Sequence, residues 1–273
     1  GLMTANAPCE QARPGYTQKD TLQWRRQQGR SFEDFVVEEV PVAFVYNGIS
    51  QAVMMATPCD LEDFALGFSL TEGIIDSSSQ IYDLQITQES NGFQIDLQIS
   101  SEKMQALKSY RRSLVGNTGC GLCGVESLHA ALRSGKTVTP AALPEPIAIH
   151  AAVDAINSWQ RIQHYTGACH AAAWCDWQGN KILLREDVGR HNAFDKLIGA
   201  MKAQEVDEKQ GFALISSRAS YEMVHKASFL QCANLVAVSA PTSLAIEQAK
   251  QLNINLIGFA RNGKHNIYHS SQS

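Results

Sequence analysis

Residues 212–259 read FALISSRASYEMVHKASFLQCANLVAVSAPTSLAIEQAKQLNINLIGF. Short apolar, β-branched runs at 212–216, 234–239 and 254–259 alternate with stretches at 221–230 and 243–252 whose apolar residues recur at helical spacing. Strands this short and this apolar need cover on both faces, which a mostly parallel sheet between two helical layers supplies. Toward the N-terminus the alternation continues. A helix is expected at 192–201, two strands near 170–174 and 181–185 turn at Gln178-Gly179-Asn180, and a helix precedes them at 147–164. The antiparallel pair would form the sheet edge. Residues 147–273 are therefore expected to be a three-layer α/β domain with a mixed sheet.

Pro140, Pro144 and Pro146 break any helical pattern and mark a linker. Before them, residues 36–139 read as a smaller α+β domain. The run from Val40 to Ala56 alternates around Asn47-Gly48, a two-residue hairpin signal, and Asn91-Gly92 suggests a second hairpin leading into Phe93, Ile95, Leu97 and Ile99. Leu61, Phe64, Ala65 and Phe68 share a helical face that Asp60 is placed to cap, and another helix is expected over 102–114. Residues 1–35 are polar and irregular and read as a flexible N-terminus; Gly1 and Leu2, ahead of Met3, are taken as an expression remnant.

The net charge of −4 and 18% charged residues provide no broad basic field, so nucleic acid is not an expected partner. No stretch has the length and apolarity of a signal peptide or a membrane span, which points to the cytoplasm and excludes membrane insertion. Seven cysteines, odd in number and scattered, do not form a disulfide framework and fit a reducing compartment.

Cys120 and Cys123 alone are spaced for shared chemistry, in a segment with glycines at 116, 119, 121 and 124. A thiolate can take up sulfur, Arg111 and Arg112 upstream could favour its ionisation, and a second thiol two residues on can release what the first carries. Spacing alone also allows half of a structural zinc site, although no clean second ligand pair follows. Two further loops sit where strand ends run into helices, the usual place for anionic ligands in such sheets. One contains His191, within Arg185-Glu186-Asp187-Val188-Gly189-Arg190-His191-Asn192; the other contains Ser217 and Arg218. Their polar residues could equally cap helices and pair with one another. The last expected strand runs into Phe259-Ala260-Arg261-Asn262-Gly263-Lys264, where an aromatic ring and two cations could hold a base and a phosphate.

Four motifs in order, Gly119-Cys120-Gly121-Leu122-Cys123-Gly124, Thr166-Gly167 with His170-Ala171-Ala172, Glu186-Asp187-Val188-Gly189-Arg190-His191-Asn192-Ala193, and Ser216-Ser217-Arg218-Ala219-Ser220-Tyr221-Glu222, resemble the formate dehydrogenase accessory sulfurtransferases of the FdhD/NarQ family. The likeness runs from about Glu39 to Phe259. It implies a sulfur carrier whose Cys120, assisted by Cys123, receives persulfide sulfur from a cysteine desulfurase. The acceptor it implies is the molybdenum bis(molybdopterin guanine dinucleotide) cofactor, sulfurated before insertion into apo formate dehydrogenase. By the same likeness Phe259, Ala260, Arg261, Asn262, Gly263 and Lys264 touch that cofactor and its guanine nucleotide. The protein would need no catalytic metal of its own, would form a homodimer, and its C-terminal domain would have a cytidine-deaminase-like fold. Two other readings stay open: a cofactor-binding chaperone with a zinc clip, and a zinc-dependent nucleotide deaminase. The deaminase lacks its machinery here, since His170-Ala171-Ala172 has no Glu and Gly119 stands where a proline should precede the first cysteine.

Overall fold

In the computed structural model, residues 13–115 and 134–272 are described, and Cys120 and Cys123 lie outside them. Asn47 and Gly48 adopt φ values of 48° and 81° and close the expected hairpin between β3 (Val40–Tyr46) and β4 (Ile49–Ala56). β5 (Ile81–Gln88) pairs antiparallel with β6 (Phe93–Ile99), and β6 runs parallel to β3, giving a sheet of order β4-β3-β6-β5. The second turn differs from expectation. Gln88 pairs with Phe93, so residues 89–92 form a longer loop. Gly92 serves close approach instead, because a Cβ there would lie 2.0 Å from the carbonyl oxygen of Pro41.

The helix α1 (Leu61–Thr71) follows β4, and α2 (Ser101–Val115) follows β6. Asp60 stands at the start of α1 but makes no side-chain cap; its φ is 53° and its carboxylate lies 3.9 Å from Arg185. A guanidinium from a distant strand has taken the place of the local amides.

Residues 16–37 correct the expectation of a flexible N-terminus up to residue 35. They form an antiparallel hairpin of β1 (Tyr16–Arg25) and β2 (Gln28–Val37). The ring of Tyr16 lies 5.1 Å and that of Phe35 5.3 Å from Tyr165, more than a hundred residues away in sequence, so the order comes from a contact that local composition does not reveal.

The C-terminal half is a six-stranded sheet of order β12-β11-β10-β9-β7-β8. Its strands are β7 (His170–Cys175), β8 (Lys181–Asp187), β9 (Phe212–Ile215), β10 (Asn234–Ala237), β11 (Asn255–Arg261) and β12 (Lys264–His269). β9, β10 and β11 are parallel, while β7, β8 and β12 run antiparallel to their neighbours. β12 was not expected. Asn262 and Gly263, at φ 54° and 69°, make the same two-residue turn as Asn47-Gly48, with Arg261 paired to Lys264.

Alternation along the strands sets the layers. Ala171, Ala173, Phe212, Leu214, Val236 and Ile257 pack against α3 (Pro146–Trp159). That helix stops at Gln160 and a short α4 (Arg161–Thr166) follows, so the single helix expected over 147–164 is two. Ala172, Trp174, Ala213, Ile215, Leu235 and Leu256 face the other way, toward α5 (Arg190–Ala203), α6 (Tyr221–Leu230) and α7 (Ser243–Leu252). This second core is continuous through α1 with Val42, Phe44, Ile95 and Leu97 of the four-stranded sheet. The two halves expected at 36–139 and 147–273 thus share one core. The proline-marked segment is stitched down as well: Asn234 Nδ2 donates to Ala142 O and Asn255 Nδ2 to Ala141 O. No helix among the described residues is long and apolar enough to cross a membrane.

Candidate functional site

β9, β10 and β11 all end on one side of the sheet, and β7, running the other way, begins there. A cleft of about 580 Å³ opens at these ends on the α3 side. Ser216 follows β9 and Val238 follows β10, Arg261 ends β11, and His170 opens β7. Asp154, Asn157 and Gln160, from α3 and its C-terminal end, also line it, together with Gln163 and residues 167–169. Crevices of this kind, at the carboxyl ends of parallel strands, are where α/β sheets hold ligands.

The wall is built from a few anchored groups. The Glu186 carboxylate accepts from Ile162 N at 3.0 Å and Gln163 N at 2.9 Å, which satisfies the open amides at the start of α4. Burial raises the Glu186 carboxyl above its ordinary value, against the lowering effect of these amides and of Arg161. Gln163 Oε1 in turn accepts from Cys169 N at 2.7 Å, and Gly167 ends α4 at φ 65°. Ser216 exchanges two hydrogen bonds with Ala171, donating from N and accepting at Oγ. His170, half-buried, is held below its ordinary value first by burial and then by Arg190, with Asp187 opposing. A neutral imidazole therefore faces the cleft at pH 7.

The candidate residues are distributed unevenly. Arg261 and Asn262 line the cleft. Phe259 lies beside them at φ 50° with the Arg261 guanidinium 5.2 Å from its ring. Gly263 and Lys264 continue the turn beyond the lining residues, whereas Ala260 is fully buried against the α3 side and presents no side chain to a ligand. Ser217 is also turned away: it is buried and donates to Arg218 O at 3.0 Å, and its neighbour Ser216 faces the cleft in its place. Arg218 is exposed outside the cleft. His191, the second residue of α5, lies 3.7 Å from Glu222 of α6 and is not among the residues lining the cleft, although its charge helps to lower His170.

The acidic pair expected at an anion-binding turn points inward. Asp187 accepts from Thr57 N, Gly189 N and Asn192 Nδ2 and pairs with Lys196 Nζ at 2.8 Å, both side chains fully buried. Lys196 Nζ also donates to Thr57 O, and Val188 N to Thr57 Oγ1. This loop therefore fastens the β4–α1 connection to the six-stranded sheet. Asp154, Asn157, Gln163 and His170 were not among the site residues expected from sequence. The Thr166-Gly167 and His170 motif was the available signal for the last two; the α3 residues carried none.

Among the described residues no group of three His, Cys, Asp or Glu could hold a metal ion. Ala172, where a deaminase would need its glutamate, is buried in the core. The described cysteines, Cys59, Cys169, Cys175 and Cys232, are buried. Burial is the main cause that pushes Cys175 and Cys232 up to about 12 and Cys169 well above the ordinary thiol range.

A model of the FdhD/NarQ family matches residues 37–273. The chain belongs to the FdhD/NarQ family. It is 51% identical over 245 residues to the sulfur carrier protein FdhD of Cupriavidus necator, covering 90% of this chain and 85% of the relative. Against the sulfur carrier protein FdhD of Xanthomonas oryzae the identity is 45% over 267 residues, covering 98% and 95%. A crystal structure from Desulfotalea psychrophila, assigned as a formate dehydrogenase accessory protein, superposes with a TM-score of 0.72 at 18% identity, over 95% of this chain and 99% of that one. That likeness is one of fold. The hairpin of β1 and β2 lies almost wholly ahead of the matched FdhD/NarQ region.

Proposed function

We propose that this chain is a sulfur carrier for formate dehydrogenase, in which Cys120 takes sulfane sulfur from a cysteine desulfurase and delivers it to the molybdenum bis(molybdopterin guanine dinucleotide) cofactor as substrate. Membership of a family whose relatives are named sulfur carrier proteins carries the reading. The state of three described thiols supports the choice of cysteine. Sulfur uptake requires a reachable thiolate, and Cys169, Cys175 and Cys232 are buried with raised thiol pKa values, so they stay protonated at pH 7.

In the loading step the Cys120 thiolate attacks the terminal sulfur of the desulfurase persulfide. A new S–S bond forms on Cys120, the old S–S bond breaks, and the donor leaves as a thiolate. For release, the Cys123 thiolate attacks the Cys120 sulfur and expels sulfide toward the metal. The resulting Cys120–Cys123 disulfide is reopened by a cellular dithiol reductant. The cleft beside Arg261 and Asn262 is the site for the cofactor's nucleotide, with His170 as a neutral polar group and the Phe259–Arg261 pair at its mouth. The fold of the C-terminal half is of cytidine-deaminase type, and the protein works as a homodimer in the cytoplasm.

Intact-protein mass spectrometry after incubation with a cysteine desulfurase and free cysteine tests the assignment. The native chain and Cys123→Ala gain one sulfur, and Cys120→Ala gains none. Equal adducts on all three proteins, or zinc bound stoichiometrically to the native thiols, would overturn it in favour of unspecific thiol chemistry or a zinc-clipped chaperone.

A further inference from the structure

Among the described residues, Asp154 carries the one carboxylate lining the cleft, and Arg261 is the one permanent cation there. Asp154 stands on an exposed position of α3, one helical turn before Asn157, so both side chains leave the same face of the helix. Neither Asp154 nor Asn157 has an ion pair or side-chain hydrogen bond with another described residue.

A carboxylate is a poor feature for a site that takes phosphate alone, because it repels the anion that Arg261 attracts. It is well suited to a ligand that presents an anion at one end and hydrogen-bond donors at the other, since an ionised carboxylate only accepts. Among the common bases, adenine and cytosine offer one exocyclic amine beside a ring acceptor, and uracil offers one N–H between two carbonyls. Guanine alone presents two neighbouring donors, N1–H and the N2 amine, at the spacing of two carboxylate oxygens, with the O6 acceptor beside them.

We infer that Asp154 reads the N1–H and N2 donors of a guanine in this cleft, that Asn157 donates its amide to O6, and that Arg261 takes the adjoining phosphate. The inference rests on the reading of the cleft as the cofactor's nucleotide site, and it names the residues that make that site choose guanine. Sites built to hydrogen-bond a specific donor edge discriminate strongly, because the wrong ligand leaves polar groups unpaired.

Titration calorimetry with free GDP, ADP and XDP on the full chain tests this. The native protein should prefer GDP over ADP. Asp154→Asn replaces one acceptor oxygen with a donor amide, which clashes with the N2 amine of guanine and matches the O2 carbonyl of xanthine. It should therefore lose at least about ten-fold in GDP affinity and gain in XDP affinity. Arg261→Ala should weaken GDP and ADP together and leave the preference intact. A native preference for GDP that survives Asp154→Asn unchanged would overturn the role of Asp154 while leaving the nucleotide site standing. No binding of any of the three nucleotides to the native chain would overturn the nucleotide reading of the cleft itself.

Discussion

Asp187 is fully buried, and every one of its contacts is made to a residue that sequence separates from it or turns back on it: Thr57, Gly189, Asn192 and Lys196. Two buried charges in contact contribute little net stability, but removing one strands the other, at a cost of about 3–5 kcal/mol. Asp187→Ala should lose stability on that scale in urea denaturation, and adding Lys196→Met should restore part of it because no unpaired ammonium then remains. If the single and double variants unfold at the same midpoint, the pair is not the source of the loss. The Glu186-Asp187 motif was legible in sequence as a cluster of polar groups at a strand end. Its direction was not, since the amides of Ile162 and Gln163 and the carbonyl of Thr57 arrive from elsewhere in the chain. Ser216 and Ser217 present the same problem in miniature, because only the position of a strand's end decides which of two adjacent hydroxyls meets the cleft.

Arg261 and Asn262 reach the cleft because they sit at the tip of the β11–β12 hairpin, whose Asn-Gly turn signal was present in the sequence and mirrors the one used at Asn47-Gly48. The hairpin is fastened to α3 by His265 of β12, whose Nδ1 lies 2.8 Å from His150 Nε2. Burial first, and then His150, hold the His265 imidazole below its ordinary value of 6.5; burial does the same for His269, helped by Lys250. The unfolded chain therefore binds more protons here than the folded one as pH falls past 6.5. Stability from these groups is complete above about that pH and drains away toward the lower folded-state values. Melting temperature should accordingly fall between pH 7.5 and 5.5, and His265→Gln should flatten that slope. An unchanged slope in the variant would show that the fall comes from other groups.

Helices α1 and α5 cross closely enough that a Cβ on Gly67 would lie 1.7 Å from Asp195 O and one on Gly199 1.8 Å from Asp63 O. Around this crossing the two sheets share a single core, and Lys226 and Thr71 both donate to the Asp195 carboxylate. Gly199→Ala would gain about 1 kcal/mol in helix propensity, yet the clash with backbone cannot relax without parting the helices, so the net change should be a loss of about 1–3 kcal/mol. Because the core is shared, far-ultraviolet circular dichroism and the fluorescence of the chain's tryptophans should follow one coincident transition in the native chain and the variant alike. Separate transitions would show two independently stable halves. From sequence alone came the order and type of most strands and helices, the glycine turns, the thiol pair and the family, because period, turn chemistry and motif spacing are local properties of the chain. The tertiary structure alone decided that both halves form one core, that the first strands are ordered, that the acidic loop turns inward and that Asp154 and Arg261 line one cleft. Each of these depends on groups distant in sequence, whose meeting no local pattern encodes.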